Sequence, residues 1–360
     1  MKVMVAAGGS GGHIFPALSF LAALKIKDAS IDSLLVLPRR SLKNRFALEG
    51  CNVKYISVTP VSLRSGLRVF ADLFNLLKGF FQSFFVLIEY KPDVVVGFGG
   101  IESAPAVMIA WLFRIKTVIH EQNVIPGNAN RVLAKFADKA AVSFQKTGSY
   151  LGIRPGKIVF TGNPIRSDMK SMDRQAALKF FGLEDGKFTV LIMGGSMGSH
   201  RINSVLPKAL LNIGQPQKFQ AIHIAGMKDY PELEREYSVS AVKVKLFDFL
   251  HPMQYAYSIA DLAIVRAGAT TIAELAAFKL PAILVPYPYA QEHQAANAEV
   301  LRSAGCAVVV RDEELEADKL IKLITGLMSE PSGLSAMRAA YASMPRINSA
   351  GLLADEVLAL

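Results

Sequence analysis

Two stretches of this chain have nearly the same sequence: MVAAGGSGGH from Met4 to His13, and LIMGGSMGSH from Leu191 to His200. Each is a short apolar run that ends in Gly-Gly-Ser and is followed by a helical pattern. This order is typical of a strand–loop–helix turn, in which backbone N–H groups at the helix start face a phosphate or another polar ligand. Since the glycine pairs lie 186 residues apart, we expect two similar α/β domains with the substrates in a cleft between them.

Length and composition agree with two domains. The chain has 360 residues, of which 51% are hydrophobic, and a domain usually takes about 100 to 200 residues. The two cysteines, Cys51 and Cys306, are far apart and lack metal-ligand spacing, which argues against a disulfide framework or a zinc site. A reducing cytosol is the expected compartment.

The first uncharged stretch, from Val3 to Leu24, is interrupted by four glycines, His13 and Pro16. Its apolar run is too short for the core of a signal peptide. No other run between charged residues approaches the roughly 18 apolar residues of a spanning helix. We therefore expect a soluble or peripheral protein.

Positive charge is concentrated in the first half of the chain. Residues 1–163 carry 20 Lys and Arg against 9 Asp and Glu, whereas residues 164–360 carry 20 against 21. A basic domain of this kind binds either nucleic acid or an anionic lipid surface. The choice between nucleic acid and a lipid surface depends on the apolar residues of the same half of the chain.

Strand and helix patterns alternate along the chain, as in parallel sheets with crossover helices. Residues 162–166 contain the glycine and proline of a linker, so we predict domains at 1–163 and 164–344. The helical pattern at 345–360 could pack back on either domain, the first included. The predicted strands are 3–7, 34–37, 53–58, 94–97, 117–120 and 157–161, then 189–193, 219–224, 242–246, 262–265, 282–285 and 307–310.

The segment from Leu67 to Tyr90 is a predicted helix with a wide apolar surface. Its polar residues fall on one narrow stripe, so that apolar residues cover the rest of the helix surface. The apolar face of an ordinary surface helix is narrower than this. One interpretation is a deeply buried crossover helix, and the other is a surface that lies on an anionic membrane. Aromatics packed into one helix suit base stacking poorly, so no nucleic-acid partner is expected. The membrane interpretation uses Arg64, Arg68, Lys78, Trp111, Phe113 and Arg114 beside the helix residues Phe70, Leu73, Phe74, Leu77, Phe80, Phe81, Phe84 and Phe85.

The first glycine loop does not fit a dinucleotide fingerprint well. Ile14 stands where the third glycine belongs, and the second predicted strand ends in Arg39 and Arg40 rather than an acidic residue. These arginines leave NADP as an alternative. His13 is either a hydrogen-bonding loop histidine or a residue that acts at the mouth of the cleft.

The densest polar cluster is RAGATTIAE at 266–274, directly after a predicted strand. Thr270, Thr271 and the helix N-terminus offer several donors to a diphosphate, and Glu274 can reach ribose hydroxyls. The alternative is that Thr271 and Glu274 form a capping box and bind nothing. Farther on, His293, Gln294 and Asn297 suit a sugar or are only a polar helix start.

Two further sequences close predicted strands of the first domain: HEQN at 120–123 and GFGG at 97–100. Ligands of open α/β sheets bind at such carboxyl ends. The chain contains no Asp-x-Asp sequence, which metal-bridged sugar-nucleotide transferases usually have. We therefore expect no metal cofactor, with N–H groups and arginines such as Arg166 and Arg266 holding a diphosphate.

As a set, six motifs resemble the MurG family of glycosyltransferases in order and spacing over essentially the whole chain. They are GGSGGH at 8–13, HEQN at 120–123, NPIR at 163–166, GGSMG at 194–198, RAGATTIAE at 266–274 and HQAAN at 293–297. The chain departs from the family pattern at Ile101-Glu102-Ser103, where an aromatic is usual, and at Met197 and His293, where Gln is common.

The resemblance implies a GT-B architecture of two Rossmann-like α/β domains. It implies an inverting transfer of N-acetylglucosamine from UDP-N-acetylglucosamine to the C4 hydroxyl of undecaprenyl-pyrophosphoryl-N-acetylmuramoyl-pentapeptide, in peptidoglycan synthesis. The basic first domain would take the lipid acceptor, with the protein peripheral on the cytoplasmic face of the cell membrane. Alternatives are another GT-B glycolipid transferase, a UDP-sugar epimerase or a dinucleotide-binding protein.

The resemblance also assigns residues. His13 would be the base or an acceptor-side residue. The nucleotide and diphosphate would be held by Arg166, Ser196, Leu250, Thr270, Thr271 and Glu274, the sugar by Asn123, His293, Gln294 and Asn297, and further donor contacts would come from Ser10, Gly11, Gly12 and Ala269.

Overall fold

The computed structural model of the chain describes residues 1–39, 48, 50–58, 68–195, 198–290, 292–345 and 347–360. The chain divides into two compact units. Unit 1 consists of Met1–Ser167 and Ile347–Leu360, and unit 2 of Asp168–Arg346. The boundary predicted after residue 163 therefore lies inside unit 1.

Unit 1 is built on a parallel sheet whose strands, in the described part of the chain, follow the order β3-β2-β1-β4-β5-β6-β7. Helices cover both faces, as the continuous apolar strands require. The strands are β1 (Lys2–Ala6), β2 (Asp32–Pro38), β3 (Asn52–Ile56), β4 (Val94–Gly97), β5 (Lys116–Glu121), β6 (Lys139–Val142) and β7 (Ile158–Phe160), and the helices are α1 (Gly11–Lys27), α2 (Arg68–Tyr90), α3 (Ala104–Leu112), α4 (Asn128–Leu133) and α5 (Gly148–Leu151).

Strand β6 was not among the predicted strands. Its sequence, KAAV, is short and alanine-rich, and alanine is depleted in strands. Pairing with β5 on one side and β7 on the other fixes it in the sheet. Tertiary packing therefore overrides the weak local preference.

Unit 2 repeats the architecture with a parallel sheet of order β10-β9-β8-β11-β12-β13. The strands are β8 (Phe188–Met193), β9 (Phe219–Ile224), β10 (Lys243–Phe247), β11 (Leu262–Val265), β12 (Ala282–Leu284) and β13 (Ala307–Val309). The helices are α6 (Arg174–Phe181), α7 (His200–Leu211), α8 (Tyr230–Tyr237), α9 (Met253–Ile259), α10 (Ala269–Phe278), α11 (His293–Ser303), α12 (Ala317–Ser329) and α13 (Pro331–Ala340).

The last helix, α14 (Ser349–Leu358), returns to unit 1 and packs against α1. Its residues Leu353, Ala354 and Val357 are fully buried in the core that α1 forms on one face of the unit 1 sheet. Two ion pairs join it to the rest of unit 1, Lys27 to Asp355 and Lys139 to Glu356, both at 2.6 Å.

Helix α2 covers the opposite face of the unit 1 sheet, where it packs against α3 and β3. The interpretation as a deeply buried crossover helix is wrong, since Phe74, Phe81 and Phe85 are 64–67% exposed. Within the described residues, Ala71–Tyr90 is long and apolar enough to cross a membrane by length and composition alone. Its other side, however, contributes Leu87 to the core, which is the arrangement of a surface helix.

Candidate active site

In both sheets the chain reverses its direction of winding at the first strand of the unit, between β1 and β4 and between β8 and β11. Open parallel sheets bind ligands at the carboxyl ends of strands beside such a switch point. Both glycine loops lie there, since one follows β1 and the other follows β8.

The first glycine loop is fastened to the loop after β4. The N–H of Gly8 donates to the carbonyl of Gly99 at 3.0 Å. A β-carbon at Gly8 would lie 2.6 Å from Nδ1 of His13, and one at Gly99 would lie 3.4 Å from Nε2. The His13 ring therefore needs glycine at position 8, whereas position 99 favours glycine because of its φ of +83°.

The His13 ring is held by one short hydrogen bond, between Nδ1 and Oγ of Ser10 at 3.0 Å. Ser10 is the N-cap residue of α1, but its side chain makes no capping bond, so the hydroxyl serves the histidine instead. Burial lowers the pKa of His13 from 6.5 to about 4. The imidazole is consequently neutral near pH 7 and able to accept a proton.

Glu121, at the end of β5, organises the next loop. Its carboxylate is 2% exposed and accepts four hydrogen bonds, from the N–H and side-chain amide of Asn123, the N–H of Gly127 and the side chain of Asn130. These bonds are 2.8–3.1 Å long. Asn123 is thereby fixed at the strand end.

Its neighbour His120 connects β5 with the segment that leaves β7. Nε2 lies 3.0 Å from the carbonyl of Gly162, and Nδ1 lies 3.0 Å from the amide of Gln122. Arg166, four residues beyond Gly162, places its guanidinium 5.2 Å from the centre of the Phe15 ring on α1. The NPIR motif thus stays with unit 1.

The second glycine loop depends on close backbone approach. Gly198 has φ of +78°, and a β-carbon there would collide with the carbonyl of Ala225. Ser199 then caps α7, since its hydroxyl accepts from the N–H of Ile202 at 3.4 Å. The loop is longer than the first because its N-cap residue comes three residues later after the glycine pair.

Arg266, expected as a diphosphate ligand, instead braces this loop. Its guanidinium donates to Ser199 Oγ at 2.7 and 3.0 Å, to the carbonyls of Val285 and Pro286, and to Asp312 at 2.5 Å. The side chain is 8% exposed. It joins the end of β11 to the start of α7, and the expectation is wrong because its donors are used within the protein.

Helix α10 begins at the motif RAGATTIAE, and its N-cap is Gly268 without a side-chain cap. Thr270 and Thr271 therefore lie within the first turn, where N–H groups have no intrahelical partner. The capping-box alternative is wrong, since Thr271 is not the N-cap. Glu274 instead accepts a hydrogen bond from the hydroxyl of Tyr257 at 2.8 Å.

Helix α11 supports the same motif from the side. Gln294 Oε1 accepts from the N–H groups of Ala267 and Tyr287 at 3.2 and 2.9 Å. Asn297 is fully buried and donates to the carbonyl of Ala267 at 3.2 Å. The sequence pattern pointed to a sugar, but these contacts hold the loop that leads into α10.

A polar network beneath the second loop was not predicted. His223 in β9 is fully buried, with Nε2 3.1 Å from Asn203 Oδ1 and Nδ1 2.8 Å from the Tyr237 hydroxyl. Asn203 also donates to the carbonyl of Ala225 and to Asp229, both at 2.8 Å. The sequence signal was a histidine inside the apolar strand FQAIHI.

Models of known protein families match both units. The model of the glycosyltransferase family 28 N-terminal domain matches residues 3–142, and that of the C-terminal domain matches residues 189–350. The UDP-N-acetylglucosamine–N-acetylmuramyl-(pentapeptide) pyrophosphoryl-undecaprenol N-acetylglucosamine transferase of Halothermothrix orenii is 38% identical, over 94% of this chain and 93% of that protein. The protein with that name from Syntrophus aciditrophicus is 36% identical, over 100% and 99%.

The chain belongs to the MurG family of glycosyltransferases.

Solved structures agree with this assignment. The MurG of Acinetobacter baumannii superimposes with a TM-score of 0.76 at 27% identity, covering 100% of this chain and 99% of that one. The UDP-GlcNAc 2-epimerase of Neisseria meningitidis has a TM-score of 0.73 at 17% identity, with full coverage of both chains. At 17% identity, the likeness to the epimerase shows only a shared fold. The predicted GT-B architecture is confirmed. The family is that of the transferase and not that of the epimerase, because the relatives of 36–38% identity are transferases.

Membership in the MurG family makes the chain a hexosyltransferase, but it does not test the residue assignments. Ser10, Gly11, Gly12 and His13 lie at the β1–β4 switch point; Ala269, Thr270, Thr271 and Glu274 lie at the β8–β11 switch point. Leu250 is 5% exposed in the loop after β10, and His293 starts α11. Arg40, Arg64, Ser196 and Met197 lie outside the described residues, as do the side chains of Arg68 and Phe70.

Proposed function

We propose that this MurG-family chain transfers N-acetylglucosamine from UDP-N-acetylglucosamine to the C4 hydroxyl of undecaprenyl-pyrophosphoryl-N-acetylmuramoyl-pentapeptide. The proposal rests mainly on the carboxyl ends of the strands in the unit 2 sheet. There the start of α10 provides the N–H groups and hydroxyls of Thr270 and Thr271, and Glu274 lies one turn further along the helix. A nucleoside diphosphate needs donors for its phosphates and an acceptor for its ribose. This edge provides both.

The reaction is a direct displacement with inversion. The acceptor hydroxyl attacks the anomeric carbon while the bond to UDP breaks, and its proton passes to a base. Neutral His13 in unit 1 is the proposed base, and such a base contributes about 100-fold to 10,000-fold. The donors at the start of α10 stabilise the negative charge that develops on the leaving UDP.

The diphosphate is proposed to need no metal ion. The sequence has no Asp-x-Asp motif, and N–H groups with Arg166 can supply the compensating charge. Transfer measured in EDTA should equal transfer in added Mg²⁺ or Mn²⁺. A rate that disappears in EDTA and returns with either ion would contradict this proposal.

A transfer assay tests the reaction itself. Labelled UDP-N-acetylglucosamine and a short-chain lipid-linked muramoyl-pentapeptide should give a labelled lipid product, whereas UDP-galactose should give little. Thermal shifts with UDP-N-acetylglucosamine, UDP-galactose, NADH and NADPH provide the binding control. Stabilisation by NADH or NADPH without transfer would favour a dinucleotide-binding protein instead.

The acceptor is lipid-linked, and we propose that unit 1 binds the cytoplasmic face of the cell membrane through an apolar face. We define this apolar face by its exposed side chains on α2 and at the end of α3. Contact between Phe84 and Phe113, with ring centres 5.7 Å apart, joins the two helices. The residues of the apolar face are Leu73, Phe74, Leu77, Phe81, Phe85 and Ile88 on α2, and Trp111, Leu112 and Phe113 at the end of α3.

Basic side chains border the apolar face. Lys78 lies on α2, Arg114 follows α3, and Arg131 and Lys135 lie in and just after α4; all four are exposed. Each Lys or Arg near an anionic membrane contributes about 1 kcal/mol of binding. Four such charges beside a modest apolar area support reversible attachment rather than insertion.

Vesicle flotation tests the attachment. The protein should float with vesicles that contain anionic lipid and remain in solution with neutral vesicles or in high salt. Replacing Phe81 and Phe85 by Ser should abolish flotation, whereas the matched change of Met227 and Val239, exposed in unit 2, should not. Equal binding to neutral vesicles would remove the electrostatic part of the proposal.

A further inference from the structure

An acidic side chain with no assigned role lies beside His13. Glu102 belongs to the short helical turn Ile101–Ser103 that follows the GFGG loop after β4. Its side chain turns back over the loop, because a β-carbon at Gly100 would lie 2.5 Å from its Oε2. Gly100, with φ of +76°, leaves the space that the carboxylate occupies.

The carboxylate reaches the first glycine loop. A β-carbon at Gly8 would lie 3.2 Å from Glu102 Oε2 and 2.6 Å from His13 Nδ1. These two atoms are therefore at most 5.8 Å apart, the sum of the two distances. The N–H groups of Gly9 and Glu102 donate to the carboxylate, but desolvation outweighs them and raises the pKa of Glu102.

The other charged or titratable groups at this end of the sheet are already engaged. His120 is held by the carbonyl of Gly162 and by Gln122. The Glu121 carboxylate accepts bonds from Asn130 and its own loop. The Arg166 guanidinium stacks on Phe15. Among the described residues, Glu102 is thus the acid placed against His13.

We propose that Glu102 is the anionic partner of His13: its charge stabilises the imidazolium that forms when the acceptor proton arrives. The proposal rests on the proposed function of His13 as base. As the new C–O bond forms and the bond to UDP breaks, the hydroxyl proton moves to His13 and UDP leaves as the anion. Glu102 keeps its charge throughout, as a carboxylate does when it stabilises the imidazolium form of a catalytic histidine.

The first test is Glu102→Gln, which keeps the shape and removes the charge. A charge pair within 5.8 Å at the usual effective dielectric constant of proteins predicts a kcat about tenfold to a hundredfold lower. KM for UDP-N-acetylglucosamine and the melting temperature should stay the same. Glu102→Asp should recover part of the rate, and Glu89→Gln, an exposed carboxylate on α2, should change nothing.

The pH profile separates this role from a structural one. In the native enzyme kcat should fall on the acid side as Glu102 takes up a proton, whereas in Glu102→Gln the fall should move to lower pH, towards the pKa of His13. An unchanged kcat or an unchanged acid limb in Glu102→Gln would overturn the proposal. A lower melting temperature with an unmoved acid limb would assign Glu102 a structural role and also overturn it.

An NMR titration of the His13 ring distinguishes this failure from failure of the proposed function. Because both groups titrate, the His13 signal should move in two steps in the native protein and in one step in Glu102→Gln. Two steps without any transfer activity would leave the pair intact and reject the proposed function. One step in both proteins would reject the pair, even if transfer from UDP-N-acetylglucosamine is observed.

Discussion

The two glycine loops share a sequence pattern but begin their helices at different points. In the first, Ser10 is the N-cap and His13 is the third residue of α1; in the second, Ser199 is the N-cap and His200 is the first residue of α7. Two residues turn a helix by about 200°, so the two imidazoles leave nearly opposite sides of their helices. His13 packs between two glycines, whereas the His200 side chain is 73% exposed beside Asp229.

The loops also differ in what holds them. The first is fastened by two backbone N–H groups, that of Gly8 to the carbonyl of Gly99 and that of Gly9 to the Glu102 carboxylate. It has no ion pair in its described contacts. The second is braced by Arg266 and supported from below by His223 and Asn203. The start of α7 is therefore held by buried side chains, whereas the proposed base lies at the more lightly held start of α1.

Replacing His13, the histidine of the first glycine loop, should have the largest effect on the rate of transfer. His13→Ala should lower kcat by about 100-fold to 10,000-fold, since the base is lost, and leave the stabilisation by UDP unchanged. His200→Ala is the matched control and should keep nearly full turnover. Turnover of His13→Ala within a few-fold of the native rate would contradict the assignment of His13 as base.

Removing the brace of the second loop should affect stability. Arg266→Met leaves the partly buried Asp312, whose side chain is 19% exposed, without its partner. This should cost about 3 kcal/mol in the free energy of unfolding, the low end of the range for a buried pair. Arg302→Met removes an exposed pair with Glu299 and should cost about 1 kcal/mol or less. Urea denaturation of both variants provides the measurement. Equal losses in the free energy of unfolding would contradict the prediction that the Arg266 pair stabilises the protein more than the exposed Arg302 pair does.

The ribose role of Glu274 predicts a smaller effect, on binding alone. Glu274→Ala should leave up to two ribose hydroxyls unpaired, at roughly 1 to 3 kcal/mol for each buried group. The melting temperature without ligand should stay nearly normal, because the N-cap of α10 is Gly268 and not Thr271. Thermal shift with UDP measures both quantities. Tyr257→Phe is the control, since it removes only the hydroxyl that donates to Glu274.

The two fully buried histidines, one in each unit, predict a pH dependence of stability. Burial lowers the pKa of His120 to about 4 and that of His223 to about 3. The unfolded chain binds these protons near pH 6.5, so the free energy of unfolding falls as the pH drops below 6.5, by about 2 kcal/mol for each histidine at pH 5. Denaturation of His223→Gln at pH 7 and pH 5 should show a smaller fall than the native protein. A fall of the same size would contradict the assignment to His223.

Much of the fold could be predicted because it depends on local pattern. Apolar runs of four to six residues between glycine loops marked the strands of both sheets, and only β6, with the alanine-rich sequence KAAV, was missed. The apolar surface of α2 was also visible, but not whether it was covered. Burial depends on the neighbouring elements, which the local sequence does not specify.

The site was less predictable because its details depend on contacts between distant residues. Nothing in RAGATTIAE shows that Arg266 would meet Asp312, 46 residues later. The spacing of Thr271 and Glu274 suggested a capping box, yet the helix starts at Ala269, two residues before Thr271. Glu102 drew notice only as a departure from a family pattern, since its approach to His13 requires two strands to pair.

The placement of α14 has a consequence for how the chain folds during synthesis. Leu353, Ala354 and Val357 complete the core beside α1, but they are made after all of unit 2. A domain usually folds as a unit while the chain emerges. Unit 2 can therefore fold once its last helix, α13, has emerged, whereas unit 1, although it is begun first, completes its core only when α14 emerges after unit 2.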